Sequence, residues 1–262
     1  MILTTAIERL KDARFTLDAL GSDPSGRIEW WEQPHKDLTY VIGADTAYGI
    51  EGRDYDAACV MVKGDGHPRQ VAEAHGHWGE RFDRILFALH RVYNDAFLCV
   101  ERASTGLPVM RRLYDEYDVR WMYYERSPSA ASLAVTDKLG YNPTHNDLAV
   151  ADLVRSVRAD EITLRSTSLM DQMSRLQWSA PNEIRDIEDR VGDSKLRMKL
   201  PGGGSPDLVM ACAFALHAWR EVVHFIPPAK KYYGNTLDGL LPHDREIEDE
   251  AREHAEQRRR RW

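Results

Sequence analysis

The chain has 262 residues, 43% of them hydrophobic, enough to bury a substantial core in one domain with appendages. Its formal charge of -7 excludes a protein that coats nucleic acid by charge alone, yet allows an enzyme whose carboxylates are neutralised by bound cations. No apolar run approaches the roughly 20 residues of a membrane span, and the opening M-I-L-T-T-A-I-E-R-L-K has acidic and basic residues inside its apolar pattern, unlike a secretory signal, so no membrane partner and a cytoplasmic location are expected.

Residues 1–27 mix a short helical pattern with a D-P-S-G turn and read as a linker or the remnant of a preceding element. Arg27 to Gln33 reads as a short extended segment. Tyr40 to Cys59 then gives an apolar run ending in Asp45, a Gly-rich polar loop carrying Asp54 and Asp56, and a second apolar run from Ala57 to Val62. That pattern is strand, turn, strand. The turn K-G-D-G-H-P leads to a third strand over about Arg69 to His75, which completes an antiparallel meander.

Trp78, Phe82, Ile85, Leu86, Leu89 and Tyr93 recur at helical spacing, which predicts an amphipathic helix over 78–93. The continuous apolar run Ala96 to Val100 reads as a buried strand, ending at Glu101. A helix over about 105–117 and a strand over 120–124 follow. Strands alternating with helices after a meander predict an α/β fold, a mixed sheet flanked by helices.

Further on, Thr144 is expected to cap a helix reaching about Arg158, Glu161 to Leu164 to form a short strand, and Ser168 to open another helix. Asn182 to Leu200 reads as a hairpin or loop. The last strong helix begins with Ser205 as N-cap and Pro206 at its first position, with Asp207 in the first turn. Residues 225–262 read as a charged tail with an Arg-rich tip. Cys59, Cys99 and Cys212 lie in apolar segments and read as core residues.

Three carboxylates hold strategic places: Asp45 ending one strand, Glu101 ending another, and Asp207 opening the last helix. If those strands are neighbours and the helix crosses their ends, the three converge. Such a cluster repels itself unless cations lie between its members. It is a ligand set for Mg2+ or Mn2+, two ions, in phosphoryl transfer by water, with Asp54 as a further acidic group. His67, His75 and His77 read as exposed imidazoles, and His217 as a remote candidate for a general base.

These motifs, in this order, resemble the RNase H-like nuclease domain of the large terminase subunit of tailed bacteriophages. Y-V-I-G-A-D-T-A-Y-G resembles the segment opening that domain, and Arg53-Asp54 the pair before its second strand. A-F-L-C-V-E-R-A-S-T-G resembles the strand ending in Glu, K-L-G-Y-N-P-T the entry to the next helix, and S-P-D-L-V-M-A-C-A-F-A the final acidic helix start. The resemblance covers about residues 28–219, and residues 28–224 are expected to form one nuclease domain. It implies a DNA endonuclease in which Asp45, Glu101 and Asp207 bind two ions to cut concatemeric DNA during genome packaging in the host cytoplasm. Double-stranded DNA, a motor ATPase, a portal protein and a small terminase subunit are the implied partners.

The sequence departs from the family in two ways. Pro206 stands where a second acidic residue is frequent, and no G-x-x-x-x-G-K-S/T motor motif is present. A Holliday-junction resolvase would use the same carboxylates, and a non-catalytic packaging scaffold would keep the fold without cutting. Basic residues expected near DNA are Arg53, Arg102, Arg126, Lys138 and the alternation Lys195, Arg197, Lys199.

Overall fold

A computed structural model describes residues 26–49, 54–64, 66–103, 105–124, 139–178, 198–199 and 205–222. Five strands, β1 (Gly26–Trp30), β2 (Thr39–Asp45), β3 (Asp56–Lys63), β4 (Arg69–Gly76) and β5 (Phe97–Val100), form one sheet in the order β1-β4-β3-β2-β5. β1 to β4 pair antiparallel, and β5 joins β2 in parallel, with Ala44 opposite Val100. This is the expected mixed sheet. It adds β1, from the predicted extended segment, as an edge strand beside β4.

The central strands are apolar at successive positions because both sheet faces are covered. On one face Ile42, Ala44, Val60, Leu98 and Val100 pack with helices α1 (Phe82–Val92) and α2 (Gly106–Asp115). On the other, Val41, Cys59, Met61, Phe97 and Cys99 pack with α3 (Asn146–Arg158), α4 (Thr167–Arg175) and α5 (Asp207–Glu221). Each large side chain removed from water contributes about 1.5–3 kcal/mol. All three cysteines are free and buried in the core.

α5 is the most enclosed helix, buried without a break from Asp207 to Leu216. Its alanines make this possible. At Gly43 of β2 an added Cβ would collide with the Ala215 nitrogen and the Ala211 carbonyl oxygen, so the helix backbone lies directly on the strand backbone.

Several predicted elements shift or shrink. The helix expected over 78–93 divides into a 3-10 turn, Gly79–Arg81, and α1, and Gly79 at the start of the turn takes a positive φ of 53°, which leaves Trp78 outside it. The strand expected over 120–124 reduces to isolated bridges, Leu98 with Met122 and Tyr124 with Leu139. The one expected over 161–164 reduces to a bridge between Arg69 and Thr163. Asn142, not Thr144, caps the turn before α3, its side chain accepting from the Thr144 N–H. Ser166, not Ser168, caps α4, accepting from the Leu169 N–H. Pro206 occupies the N-cap position of α5 and Asp207 the first helical one. Of the linker expected over 1–27, Gly26 and Arg27 belong to β1, while residues 1–25 and the expected tail, 225–262, lie outside the described residues. No helix among the described residues is long and apolar enough to cross a membrane.

Candidate metal centre

β2 delivers Asp45 at its last residue and β5 delivers Glu101 one residue past its end. The Glu101 N–H donates to the Ala44 carbonyl over 3.0 Å, which extends the parallel register by one step and sets the two carboxylates side by side. Side chains alternate along a strand. Asp45 therefore shares the face of Val41 and Gly43, and Glu101 that of Phe97 and Cys99, the face that α5 covers.

From Ala211, over Gly43, back to Asp207 is one helical turn, about 6 Å. From Gly43 forward to Asp45 is two strand residues, about 7 Å. The matching lengths bring Asp207 over the strand ends.

The electrostatics report the same convergence. Burial, then the charges of Glu101 and Asp207, then a hydrogen bond with Glu101 push the Asp45 carboxyl well above the usual range, while the Thr46 N–H acts the other way. Asp45 has intermediate solvent exposure as a residue, although protein surrounds its carboxyl densely. Carboxylates this close repel one another unless a cation or a proton lies between them.

Asp207 is 2% exposed. Burial, reinforced by the charges of Asp54 and Asp56, raises it to about 6, against hydrogen bonds from Ser205 and from the Tyr55 N–H at 2.9 Å. A helix N-terminus stabilises an acid by about 0.3–1 kcal/mol. A two-unit rise corresponds to about 3 kcal/mol in the opposite sense, so burial wins. The Gln172 side-chain oxygen accepts from the Leu208 and Val209 N–H groups, at 3.1 and 3.4 Å, and anchors the first turn of α5.

Asp54 is exposed, and its charge is felt by Asp207. Asp56, two residues on, has a different task. It is fully buried, and its oxygens accept from the N–H groups of Ala47, Trp78 and Gly79 at 2.8, 2.9 and 2.7 Å. It ties the loop after Asp45 to the turn before α1 and is a structural acid.

His75 and His77 are half-buried, contrary to the expected exposed imidazoles, because Tyr55 covers them with ring centroids at 4.4 and 3.9 Å. Burial lowers His75 to about 4. His67 is exposed, as expected. His217 is wedged edge-on against Tyr123 and Tyr141, ten residues along α5 from Asp207 and so about 15 Å away, too far for a general base.

Arg102 follows Glu101 directly, its N–H donating to the Tyr141 carbonyl at 2.8 Å. Lys199 lies in β7 (Met198–Lys199), paired with β6 (Gln177–Trp178). Arg53, Arg126, Lys138, Lys195 and Arg197 fall outside the described residues.

Asn146 was not singled out by its sequence pattern. Its Nδ2 donates to Glu101 Oε1, and its Oδ1 is buried without a hydrogen bond. Thr46 and Thr105, whose hydroxyls lie 2.8 Å apart, lace together the loops that follow Asp45 and Glu101. Only the fold brings these residues beside the acids.

Among the described residues, no three His, Cys, Asp or Glu side chains stand in ready metal-holding geometry. The donor set nevertheless fits a hard cation in kind: oxygen ligands, enclosed and mutually repelling. The charge of Glu101 acts on Asp45 where a cation between them would relieve the repulsion.

By sequence the chain matches no protein-family model and no curated protein. By structure it is similar to the large terminase nuclease of the thermophilic phage G20c. With magnesium bound, that protein aligns at 17% identity and a TM-score of 0.51 over 72% of this chain and 86% of its own. With cobalt bound the values are 16%, 0.52, 72% and 86%. The large terminase nuclease domain of Thermus phage P74-26 aligns at 17% identity and a TM-score of 0.50, over 73% of this chain and 85% of its own. The five-stranded mixed sheet with helices on both faces is therefore the RNase H-like fold of phage large-terminase nuclease domains.

Proposed function

We propose that the chain is a metal-dependent DNA endonuclease of the terminase type, which hydrolyses phosphodiester bonds of concatemeric double-stranded DNA during genome packaging. The observation that carries this reading is the convergence of Asp45, Glu101 and Asp207 from two strand ends and a helix start, with Asp45 raised by both of the other charges. Asp45, Glu101 and Asp207 would hold two Mg2+ or Mn2+ ions, with Asp54 at the exposed side. Cations there would supply Lewis acidity toward the scissile phosphate and lower the pKa of the attacking water.

The protein's own residues supply position. Asp45 and Glu101 stand on the rigid ends of adjacent strands, and Asp207 is fixed by Tyr55 and by the Gln172-anchored helix turn. Arg102, next to Glu101 in the chain, would contact the DNA backbone in this reading. A phosphate contact there would orient DNA without reading its sequence. A motor ATPase, a portal protein and a small terminase subunit are the partners such a nuclease would have in the cytoplasm of an infected cell.

A non-catalytic scaffold that binds DNA or portal is the second reading, favoured by the lack of ready metal-holding geometry among the described residues. Cleavage of supercoiled plasmid in Mg2+, Mn2+ or EDTA separates the two. We expect metal-dependent nicking and linearisation that disappear in Asp45→Ala and Asp207→Ala. Folded wild-type protein that cleaves nothing in either metal would leave the scaffold.

A further inference from the structure

Asn146 reaches Glu101 across 45 residues of sequence, and the path that brings it there is built in detail. The Tyr141 N–H donates to the Val100 carbonyl at 2.7 Å and the Arg102 N–H to the Tyr141 carbonyl at 2.8 Å, locking Tyr141 beside Glu101 as a parallel bridge. Asn142 then caps the tight turn Pro143–His145, and the Tyr141 hydroxyl donates to the His145 carbonyl at 3.0 Å. The next residue is Asn146, whose Nδ2 donates to Glu101 Oε1. Its Oδ1 is buried and makes no hydrogen bond.

A buried unpaired amide oxygen costs about 1–3 kcal/mol. Rotating the amide by half a turn does not remove the cost. It would set Oδ1 against Glu101 Oε1, two acceptors face to face, and strand Nδ2 instead. The Asn146 amide is complete only if a donor lies at Oδ1. A hard cation provides such a donor, because Mg2+ keeps several of its waters, and each water is polarised toward donation.

We infer that Asn146 is a positioning residue of the cation site: Nδ2 orients Glu101 by occupying Oε1, and Oδ1 accepts from the hydration shell of the ion that Glu101 binds. The inference rests on the metal-site reading above and adds to it a neutral residue that the acidic constellation does not contain. Residues that orient metal ligands through hydrogen bonds typically contribute about 10–100-fold to metal affinity.

The test is calorimetric titration of Mn2+ into the full chain, alongside Asn146→Ala and Asn146→Ser, with the melting temperature of each measured in EDTA. Serine suits the start of a helix and is too short to reach Glu101, so it covers the case of an alanine variant that folds poorly. We expect the Kd for Mn2+ to weaken about 10–100-fold in both variants, with the metal-free melting temperature unchanged or raised, since the unpaired Oδ1 is gone. Asn146→Gln, which retains the amide, should recover part of the affinity. Wild-type binding with a variant Kd within twofold of it would overturn the inference alone, as would a fall in metal-free melting temperature without any change in Kd. Failure of wild-type protein to bind Mn2+ would overturn the metal-site reading and this inference together.

Discussion

Gly43 of β2 and Ala215 of α5 meet backbone to backbone: a Cβ on Gly43 would fall on the Ala215 nitrogen and the Ala211 carbonyl oxygen. The contact sets how far α5 stands from the sheet. It thereby sets where Asp207, at the start of that helix, stands relative to Asp45, two residues beyond Gly43.

Gly43→Ala should accordingly act on stability and on the site together. The added methyl meets backbone atoms that no rotamer change can move, so the expected loss is about 3 kcal/mol, the upper end for overpacking. Urea denaturation in EDTA measures it. An unfolding midpoint equal to that of wild type would show that the helix has room to retreat. In the protein that still folds, weaker Mn2+ binding is expected, because α5 carries Asp207 away with it.

The metal-free protein should lose stability as pH rises through about 6, and Asp207 should be a main cause. Its folded pKa is raised to about 6 by burial, above the ordinary aspartate value of 3.8. Its contribution is therefore complete below about 3.8 and lost as pH rises through about 6, a swing of about 3 kcal/mol. His75 works in the opposite sense. Lowered to about 4 by burial, it contributes stability above its ordinary 6.5 that is lost as pH falls toward 4. Thermal melts in EDTA from pH 4 to 8 should separate the two, with Asp207→Asn flattening the decline toward neutral pH and His75→Gln flattening the acid limb. A wild-type minus Asp207→Asn difference that does not vary with pH would refute the assignment. Bound Mg2+ or Mn2+ should stabilise more at pH 8 than at pH 5, since cations and protons compete for the same oxygens.

Asp54 and Asp56 are two residues apart and should behave as different classes of acid. Asp56→Ala strands the N–H groups of Ala47, Trp78 and Gly79 in the interior, with an expected cost of about 3–5 kcal/mol. Asp54→Ala removes an exposed charge that opposes Asp207, so its metal-free stability should stay within about 0.5 kcal/mol of wild type or rise. Its Mn2+ affinity should fall. Chemical denaturation and calorimetry on the same two variants check both halves. Equal destabilisation by the two would contradict the structural role given to Asp56.

Much of the layout was legible from pattern. Period-two and continuous apolar runs marked β2, β3, β4 and β5, and their order placed Asp45 and Glu101 at the ends of two strands before any pairing was known. Local capping was less legible. Asn142 and Ser166 cap where Thr144 and Ser168 were expected, because several polar residues compete within a few positions and the backbone path chooses among them. Pro206 stands at the N-cap in place of Ser205, one residue later than expected and with no side-chain cap. The strand expected over 120–124 fell short for a similar reason. Residues with β propensity formed isolated bridges to Leu98 and Leu139 rather than a full ladder.

The sequence by itself determined which residues could form the centre: apolar runs long enough to be buried strands, each closing on an acid, and an alanine-rich helix that opens on one. It could do so because side-chain periodicity is a local property of the chain. Only the tertiary structure decided what those acids do to one another. The parallel pairing of β2 with β5 made neighbours of Asp45 and Glu101, and the missing Cβ of Gly43 let α5 lie close enough for Asp207 to raise Asp45. The fold also brought Asn146 to Glu101 and covered His75 and His77 with Tyr55. Burial and charge interaction depend on distances in space, and residues separated by tens of positions acquire those distances only when the chain folds.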